Sequence, residues 1–355
     1  MSATAVPAAS NRRAARAAGL RYVNDGEPGL ARVRAGRGFA YRDARGRAVR
    51  AAKTLQRVRA LAIPPAYTQV WICADARGHL QATGRDARGR KQYRYHPQWR
   101  SIRDEGKFER VIAFGNALPA LRRRVRGDLK RPGFPREKVL AMVVAVMAET
   151  LLRIGNDEYA RSNRSFGLTT LRNRHVEFLR GGRARFRFRG KGGLAQQVEL
   201  DNARLTRLVR ACQQLPGQAL FQYRDDEGRV QPVDSGAVNE YLHEAMGADF
   251  TAKDFRTWGG TLAAFRRLAG LPLPAPARGG RISERALKAS ETAVIAEVAQ
   301  ALRNTPTVCR KAYIDPAVFA GWREDRLARY ARGARGELQW ERAALRFLRA
   351  QRRAG

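Results

Sequence analysis

Arg185-Phe186-Arg187-Phe188-Arg189, followed by Gly190-Lys191-Gly192-Gly193, decides how the second half of this chain folds. Successive side chains leave an extended backbone on opposite faces, so strict alternation puts both Phe on one face and all three Arg on the other. Gly181-Gly182 before the run and the glycines at 190, 192 and 193 after it supply turns, and residues 176–200 read as a short β insertion. Outward from there the periodicity is helical: residues 108–125 and 136–154 before it, then 235–246, 255–269 and 283–303, and an Arg-rich tail from 322 to 355. The Pro/Gly-rich stretch 271–281 reads as a loop.

The first third is punctuated differently. Asp-Ala-Arg-Gly occurs at 43–46, 75–78 and 86–89, and Asp first with Gly fourth is a type I turn signature, which implies three hairpins. Strand-like runs lie at 38–42, 69–74 and 79–83, with one helix-like stretch at 51–62 closed by Pro64-Pro65. The expected fold class is α+β: a small antiparallel β-rich domain over 20–105, then a larger, mostly α-helical domain over 106–355 carrying a short three-stranded sheet. Residues 1–19, rich in Ala, Ser and Arg, read as a disordered basic arm.

The chain of 355 residues carries 69 Lys+Arg against 32 Asp+Glu, a formal net charge of +37, and 60 of the basic residues are Arg. Planar, permanently charged guanidinium forks grip phosphates in pairs, so a polyanion is the implied partner. A hydrophobic content of 44% is enough for a real core, which excludes a disordered basic tail. Cys73, Cys212 and Cys309 form no C-x-x-C pair, which argues against a disulfide framework or a zinc ribbon and fits a reducing compartment. The longest apolar run, 139–152, is interrupted by Glu149 and Thr150 and falls short of the roughly 20 residues needed to cross a bilayer.

Most catalytic signatures are missing. Residues 84–91 (GRDARGRK) imitate a P-loop but put Arg90 where Lys belongs and lack the Ser/Thr that holds magnesium. His79, His96, His175 and His243 are isolated, and the acids form no cluster suited to two metal ions, so no metal site and no cofactor is expected. Phosphodiester chemistry without a metal needs cations round the phosphorus, a proton donor for the leaving oxygen and a side-chain nucleophile. Four stretches have that composition: 151–156 (LLRIGN), with Arg153 ending an apolar helix; 189–193 (RGKGG), with one of only nine lysines at a hairpin tip; 253–260 (KDFRTWGG); and 304–316 (NTPTVCRKAYIDP), a short helix with Asn at its head and Tyr near its end.

Taken in order, these stretches resemble the catalytic domain of the type IB DNA topoisomerases, particularly the small bacterial and poxvirus branch. The likeness extends to 166–172 (FGLTTLR) with His175-Val176, and upstream to 63–67 (IPPAY) and 89–95 (GRKQYRY), covering roughly 20–321. The resemblance implies that Tyr313 attacks the scissile phosphate and holds the 3′ end, that Arg153 and Arg256 clamp the non-bridging oxygens, and that Lys191 protonates the departing 5′ oxygen. It places Asn304 where many relatives have His; an amide donates a hydrogen bond to phosphate but carries no charge. Gln92, Tyr93 and Tyr95, in a basic strand with interleaved aromatics, together with Tyr159 and Lys253, are expected DNA contacts. The implied partner is double-stranded DNA, encircled by a monomer in a bacterial cytoplasm at the nucleoid, with no membrane and no small-molecule cofactor. A tyrosine recombinase shares the Arg, Lys, Arg, Tyr chemistry, but normally has His where Lys253 stands and a helical N-terminal domain. Charge alone would suit a non-enzymatic nucleic-acid-binding protein.

Overall fold

A computed structural model of the chain describes residues 12–13, 15–36, 38–87, 89, 91–248, 250–276 and 282–354, with side chains undescribed at 100–107, 109 and 354. Most of the expected arm (1–11 and 14), Arg90, part of the 271–281 loop (277–281) and Gly355 lie outside the described residues. The chain divides into two compact units, Met1–Phe108 and Glu109–Gly355.

The first unit is built on a five-stranded antiparallel sheet of order β2-β1-β3-β4-β5: β1 (Gly29–Ala35), β2 (Gly38–Arg42), β3 (Thr68–Cys73), β4 (Leu80–Arg85) and β5 (Lys91–Tyr95). All three Asp-Ala-Arg-Gly signatures form the expected turns, with Gly46, Gly78 and Gly89 N–H donating to the carbonyls of Asp43, Asp75 and Asp86 at 2.9, 3.1 and 2.8 Å. Helix α1 (Ala52–Ala60) places Val58 against Leu30, Val70, Ile72 and Ala82 to form the core. A second cluster joins Ala15, Leu20 and Trp99, so the disordered reading is corrected for the described end of the arm, where residues 15–17 are helical and Ala15 is fully buried.

Helix α2 (Pro97–Asp128) starts well before the expected residue 108, at a proline whose missing N–H costs nothing in the first helical turn. In the second unit α3 (Arg136–Thr150) is the central helix, with Val139 through Val144, Val146 and Met147 all buried, as befits a helix apolar all round. The short helix α4 (Asp157–Asn163) follows. The alternating run is strand β7 (Ala184–Arg189) of a three-stranded antiparallel sheet between β6 (Val176–Phe178) and β8 (Ala195–Leu200). Phe186 and Phe188 are buried, a gain of roughly 1.5–3 kcal/mol each. Arg185 on the other face pairs with Glu177 and Glu199.

Helix α5 (Ala203–Gln213), the β9–β10 hairpin (Gln222–Arg224 and Val230–Pro232) and α6 (Ser235–Met246) lead to α7 (Ala252–Ala269), α8 (Glu284–Leu302) and α9 (Pro306–Ala312). Helices α10 (Pro316–Arg323), α11 (Leu327–Ala331) and α12 (Glu337–Ala354) close the unit, with Phe347 and Leu348 of α12 in its core. No helix among the described residues is long and apolar enough to cross a membrane.

Candidate active site

Tyr313 caps α9, its N–H bonded to the carbonyl of Cys309 one turn earlier at 2.9 Å. Its main chain is fixed by α7. The buried Thr261 hydroxyl donates to the Tyr313 carbonyl at 3.2 Å and accepts the Asp315 N–H at 3.1 Å, bracketing the tyrosine between two bonds to one side chain. The approach is close because residue 260 is glycine: a methyl there would stand 2.7 Å from the Tyr313 carbonyl oxygen and 3.1 Å from its Cβ.

Arg256 lies one helical turn before Gly260 on the same face of α7. It is only 3% exposed, and its guanidinium carbon sits 5.0 Å from the centre of the Tyr313 ring. Its Nη1 donates to the Leu151 carbonyl and its Nη2 to the Leu302 carbonyl at 2.8 Å. These oxygens lie at the C-terminal ends of α3 and α8, where carbonyls lack helical partners and carry the negative end of the dipole. The buried charge is thus held by neutral oxygens, and no carboxylate pairs with it among the described residues.

Arg153 does not end a helix as its sequence suggested. Helix α3 stops at Thr150, Leu151 turns left-handed (φ 52°), and Arg153 follows in an extended segment. That segment is pinned by Leu168 and Thr169, whose N–H groups donate to the carbonyls of Arg153 and Ile154 at 2.9 and 2.7 Å. The partly buried Arg153 guanidinium makes no hydrogen bond or ion pair among the described residues. Burial and the Arg256 charge push its pKa down.

Burial works to raise the Tyr313 phenol, but the charges of Arg256, Arg153 and Lys253 outweigh it and hold the phenol below its ordinary value. Such a site favours a phenolate oxygen or a phosphate over a neutral group. Cys309 is no rival nucleophile: it is fully buried, and burial pushes its thiol up against the pull of Arg256 and Arg153. His175 is buried against Phe166, and burial with the Arg174 and Arg172 charges pushes it down to about 4, so it is a neutral acceptor for the Arg172 N–H at neutral pH.

Lys191 stands exposed on the β7–β8 turn, where no hydrogen bond or ion pair among the described residues ties it to the Arg153, Arg256 and Tyr313 group. Asn304 precedes the helix it was expected to head: Thr305 is the cap of α9, and the Asn304 side-chain oxygen accepts the Thr305 N–H at 3.1 Å. Lys253 is exposed in the first turn of α7. Tyr159 is 42% exposed on α4.

On β5 alternation separates the expected contacts. Tyr93, 47% exposed, and Tyr95 share a face and stack at 6.1 Å, whereas Gln92 turns to the other face and donates to Asp86 at 2.9 Å. Gln92 therefore does not join the two tyrosines in one surface.

Sequence reasoning missed what Gly260 and Thr261 do for the place of Tyr313. A Gly-Gly pair inside a helical run was the available signal for the first, since interior helix glycines are costly unless another backbone approaches. Thr261 acts through contacts distant in sequence, which no local pattern announces. Among the described residues no group of three or more His, Cys, Asp or Glu side chains is placed to hold a metal ion.

Comparison with known proteins fits this arrangement. The family model described as "Eukaryotic DNA topoisomerase I, catalytic core" matches residues 96–321, and "Bacterial DNA topoisomerase IB, N-terminal domain" matches residues 38–86. The DNA topoisomerase 1B of Acanthamoeba polyphaga mimivirus is 30% identical over 266 residues, 74% of this chain and 78% of that protein. The DNA topoisomerase I of monkeypox virus and the DNA topoisomerase 1B of vaccinia virus (strain Copenhagen) are each 23% identical over 262 residues, 71% of this chain and 75% of theirs. With the catalytic-core match enclosing Arg153, Lys191, Arg256 and Tyr313, this chain belongs to the type IB DNA topoisomerase family.

Proposed function

We propose that Tyr313 is the nucleophile with which this chain relaxes supercoiled duplex DNA. As a type IB topoisomerase the chain is an isomerase whose substrate is double-stranded DNA. The observation that carries the residue assignment is the buried Arg256 guanidinium, held by the carbonyls of Leu151 and Leu302, 5.0 Å from the Tyr313 ring, and the lowered phenol accords with it. Tyr313 Oη gives up its proton to solvent and attacks phosphorus; the Oη–P bond forms as the P–O5′ bond breaks, and the 3′ phosphate stays on the tyrosine. Arg153 and Arg256 offset the charge gathering on the non-bridging oxygens, Asn304 adds a neutral hydrogen bond, and Lys191 protonates the departing 5′ oxygen. The free end rotates and the 5′ hydroxyl then reverses each step. One ester is exchanged for another, so the bond energy is conserved and neither ATP nor a metal is called for.

Tyr93, Tyr95, Gln92, Tyr159 and Lys253 are assigned to DNA contact, exposed Tyr93, stacked on the partly buried Tyr95, being the best supported. Residues 1–105 carry net +15 and the remainder +22, which supports DNA contact by both the β-rich domain (20–105) and the catalytic domain (106–355); encirclement of the duplex by a monomer is part of the same proposal. The bacterial N-terminal-domain match supports a place at the bacterial nucleoid in the cytoplasm. The test is relaxation of supercoiled plasmid in EDTA without ATP. The wild type relaxes both signs of supercoil, and Tyr313→Phe binds DNA without relaxing it; relaxation by that variant would overturn the assignment.

A further inference from the structure

Arg303 stands between the last residue of α8 and Asn304, and its backbone is left-handed (φ 50°). A left-handed residue at a helix end is usually Gly or Asn, because any other side chain is strained there. The position is also electrostatically unfavourable, since burial and the charges of Arg256 and Arg153 push its guanidinium down to about 10, which still leaves it charged at neutral pH. A residue that departs from both local preferences is expected where function compensates.

Its contacts indicate the compensation. Nη1 donates to the carbonyls of Thr150 at 3.1 Å and Ala301 at 3.0 Å, and Nε reaches the Gln197 carbonyl at 3.5 Å. Thr150 ends α3 three residues before Arg153; Ala301 lies in the last turn of α8, three residues before Asn304; and Gln197 is on β8, which shares its hairpin with Lys191. One side chain therefore touches the three elements that deliver Arg153, Asn304 and Lys191. No carboxylate pairs with it among the described residues, so it adds a third uncancelled cation beside Arg153 and Arg256.

We propose that Arg303 is a positioning residue for strand cleavage: its guanidinium holds the ends of α3 and α8 and the β7–β8 hairpin together, so that Arg153, Asn304 and Lys191 converge on the phosphate attacked by Tyr313. This rests on the roles assigned above to those four residues.

The discriminating variant is Arg303→Gly. Glycine satisfies the left-handed backbone without strain and removes the whole side chain, stem and guanidinium together, so a purely backbone helix-end role survives the change while a positioning role does not; Arg303→Lys keeps most of the stem. Single-turnover cleavage of a duplex whose cut fragment dissociates is measured with a normal 5′ oxygen and with sulfur in its place, beside Tyr313→Phe and Lys191→Ala. Arg303→Gly is expected to bind DNA and unfold as the wild type does yet cleave about 10- to 100-fold more slowly, the loss typical of misplacing reacting groups by an ångström or less. Sulfur needs no proton to leave, so it restores part of that rate, as it does for Lys191→Ala, because the hairpin is one of the elements displaced. Arg303→Lys, with one nitrogen to reach one carbonyl, falls between; should Arg303→Gly unfold, the Lys variant carries the same comparison, and a wild-type rate with it overturns the proposal.

Arg303→Gly cleaving within about threefold of the wild type overturns it as well. Absence of sulfur rescue in Arg303→Gly, when Lys191→Ala is rescued, overturns the β8 limb. If Tyr313→Phe cleaves, the underlying assignment fails; if Tyr313→Phe is inert while Arg303→Gly is fully active, only the positioning role fails.

Discussion

Gly260→Ala tests whether α7 sets the place of the nucleophile. The added methyl would stand 2.7 Å from the Tyr313 carbonyl oxygen, against 3.4 Å for ordinary contact, and the obstacle is main chain, which cannot swing aside as a side-chain tip can. Tyr313 and α7 must part by about 0.7 Å, stretching the Thr261–Tyr313 hydrogen bond from 3.2 Å to roughly 3.9 Å, beyond useful reach. The phenol shifts relative to Arg256, and cleavage falls on the order of 10- to 100-fold. Overpacking costs about 1–3 kcal/mol while Ala in a helix returns about 1 kcal/mol over Gly, so net stability falls by only about 0–2 kcal/mol. Single-turnover cleavage, filter binding and thermal unfolding read the three quantities separately. Gly259→Ala is the control, because its methyl meets the tips of the Leu151 side chain, which can rotate, and its cleavage loss is expected to be smaller. A wild-type cleavage rate in folded Gly260→Ala would refute the claim that this contact positions the tyrosine.

Lys253→Ala removes one of the cations that lower the Tyr313 phenol. Less support for the phenolate means a higher phenol pKa, so the rising limb of the cleavage rate, where the phenol loses its proton, moves to higher pH; a profile that is unchanged or moves downward counts against the electrostatic reading. Glu291→Gln should lower stability by about 1–3 kcal/mol in chemical denaturation, since two charge-assisted hydrogen bonds to a buried side chain become neutral ones, while Arg310 is exposed and Arg323 keeps its pairing with Glu284. Glu291 is fully buried on α8 and takes bonds from Arg310 and Arg323, on either side of Tyr313. A loss under 1 kcal/mol would show the network to be dispensable.

Where local rules governed, the sequence was a sufficient guide. The Arg/Phe alternation marked β7, and α6 was bounded by signals visible in the text: Asp234, whose carboxylate accepts the Ala237 N–H, and Gly247 in the left-handed conformation. Helix α5 was overlooked although Asn202 caps it and Leu205, Val209 and Cys212 give the buried stripe. Elsewhere tertiary contacts decided the outcome. The apolar run through Leu152 promised a longer α3, but Leu151 leaves the helix and gives its carbonyl to Arg256, 105 residues away. The reactive residues could be read because their chemistry restricts residue type. Thr261 and Arg303 could not, because hydroxyl and guanidinium donors to main-chain carbonyls occur everywhere, and only the fold shows which carbonyls they meet.

Among the described residues, Arg256 and Arg303 are anchored on five main-chain oxygens: those of Thr150, Leu151, Gln197, Ala301 and Leu302. A peptide oxygen does not titrate, so the grip on these two cations is indifferent to acidity down to the point where the fold itself fails. Nor can exchanging the side chain at those five positions delete it. Side chains there can drift among related proteins while the electrostatic frame stays put, and an aligned column would register the arginine but miss what holds it.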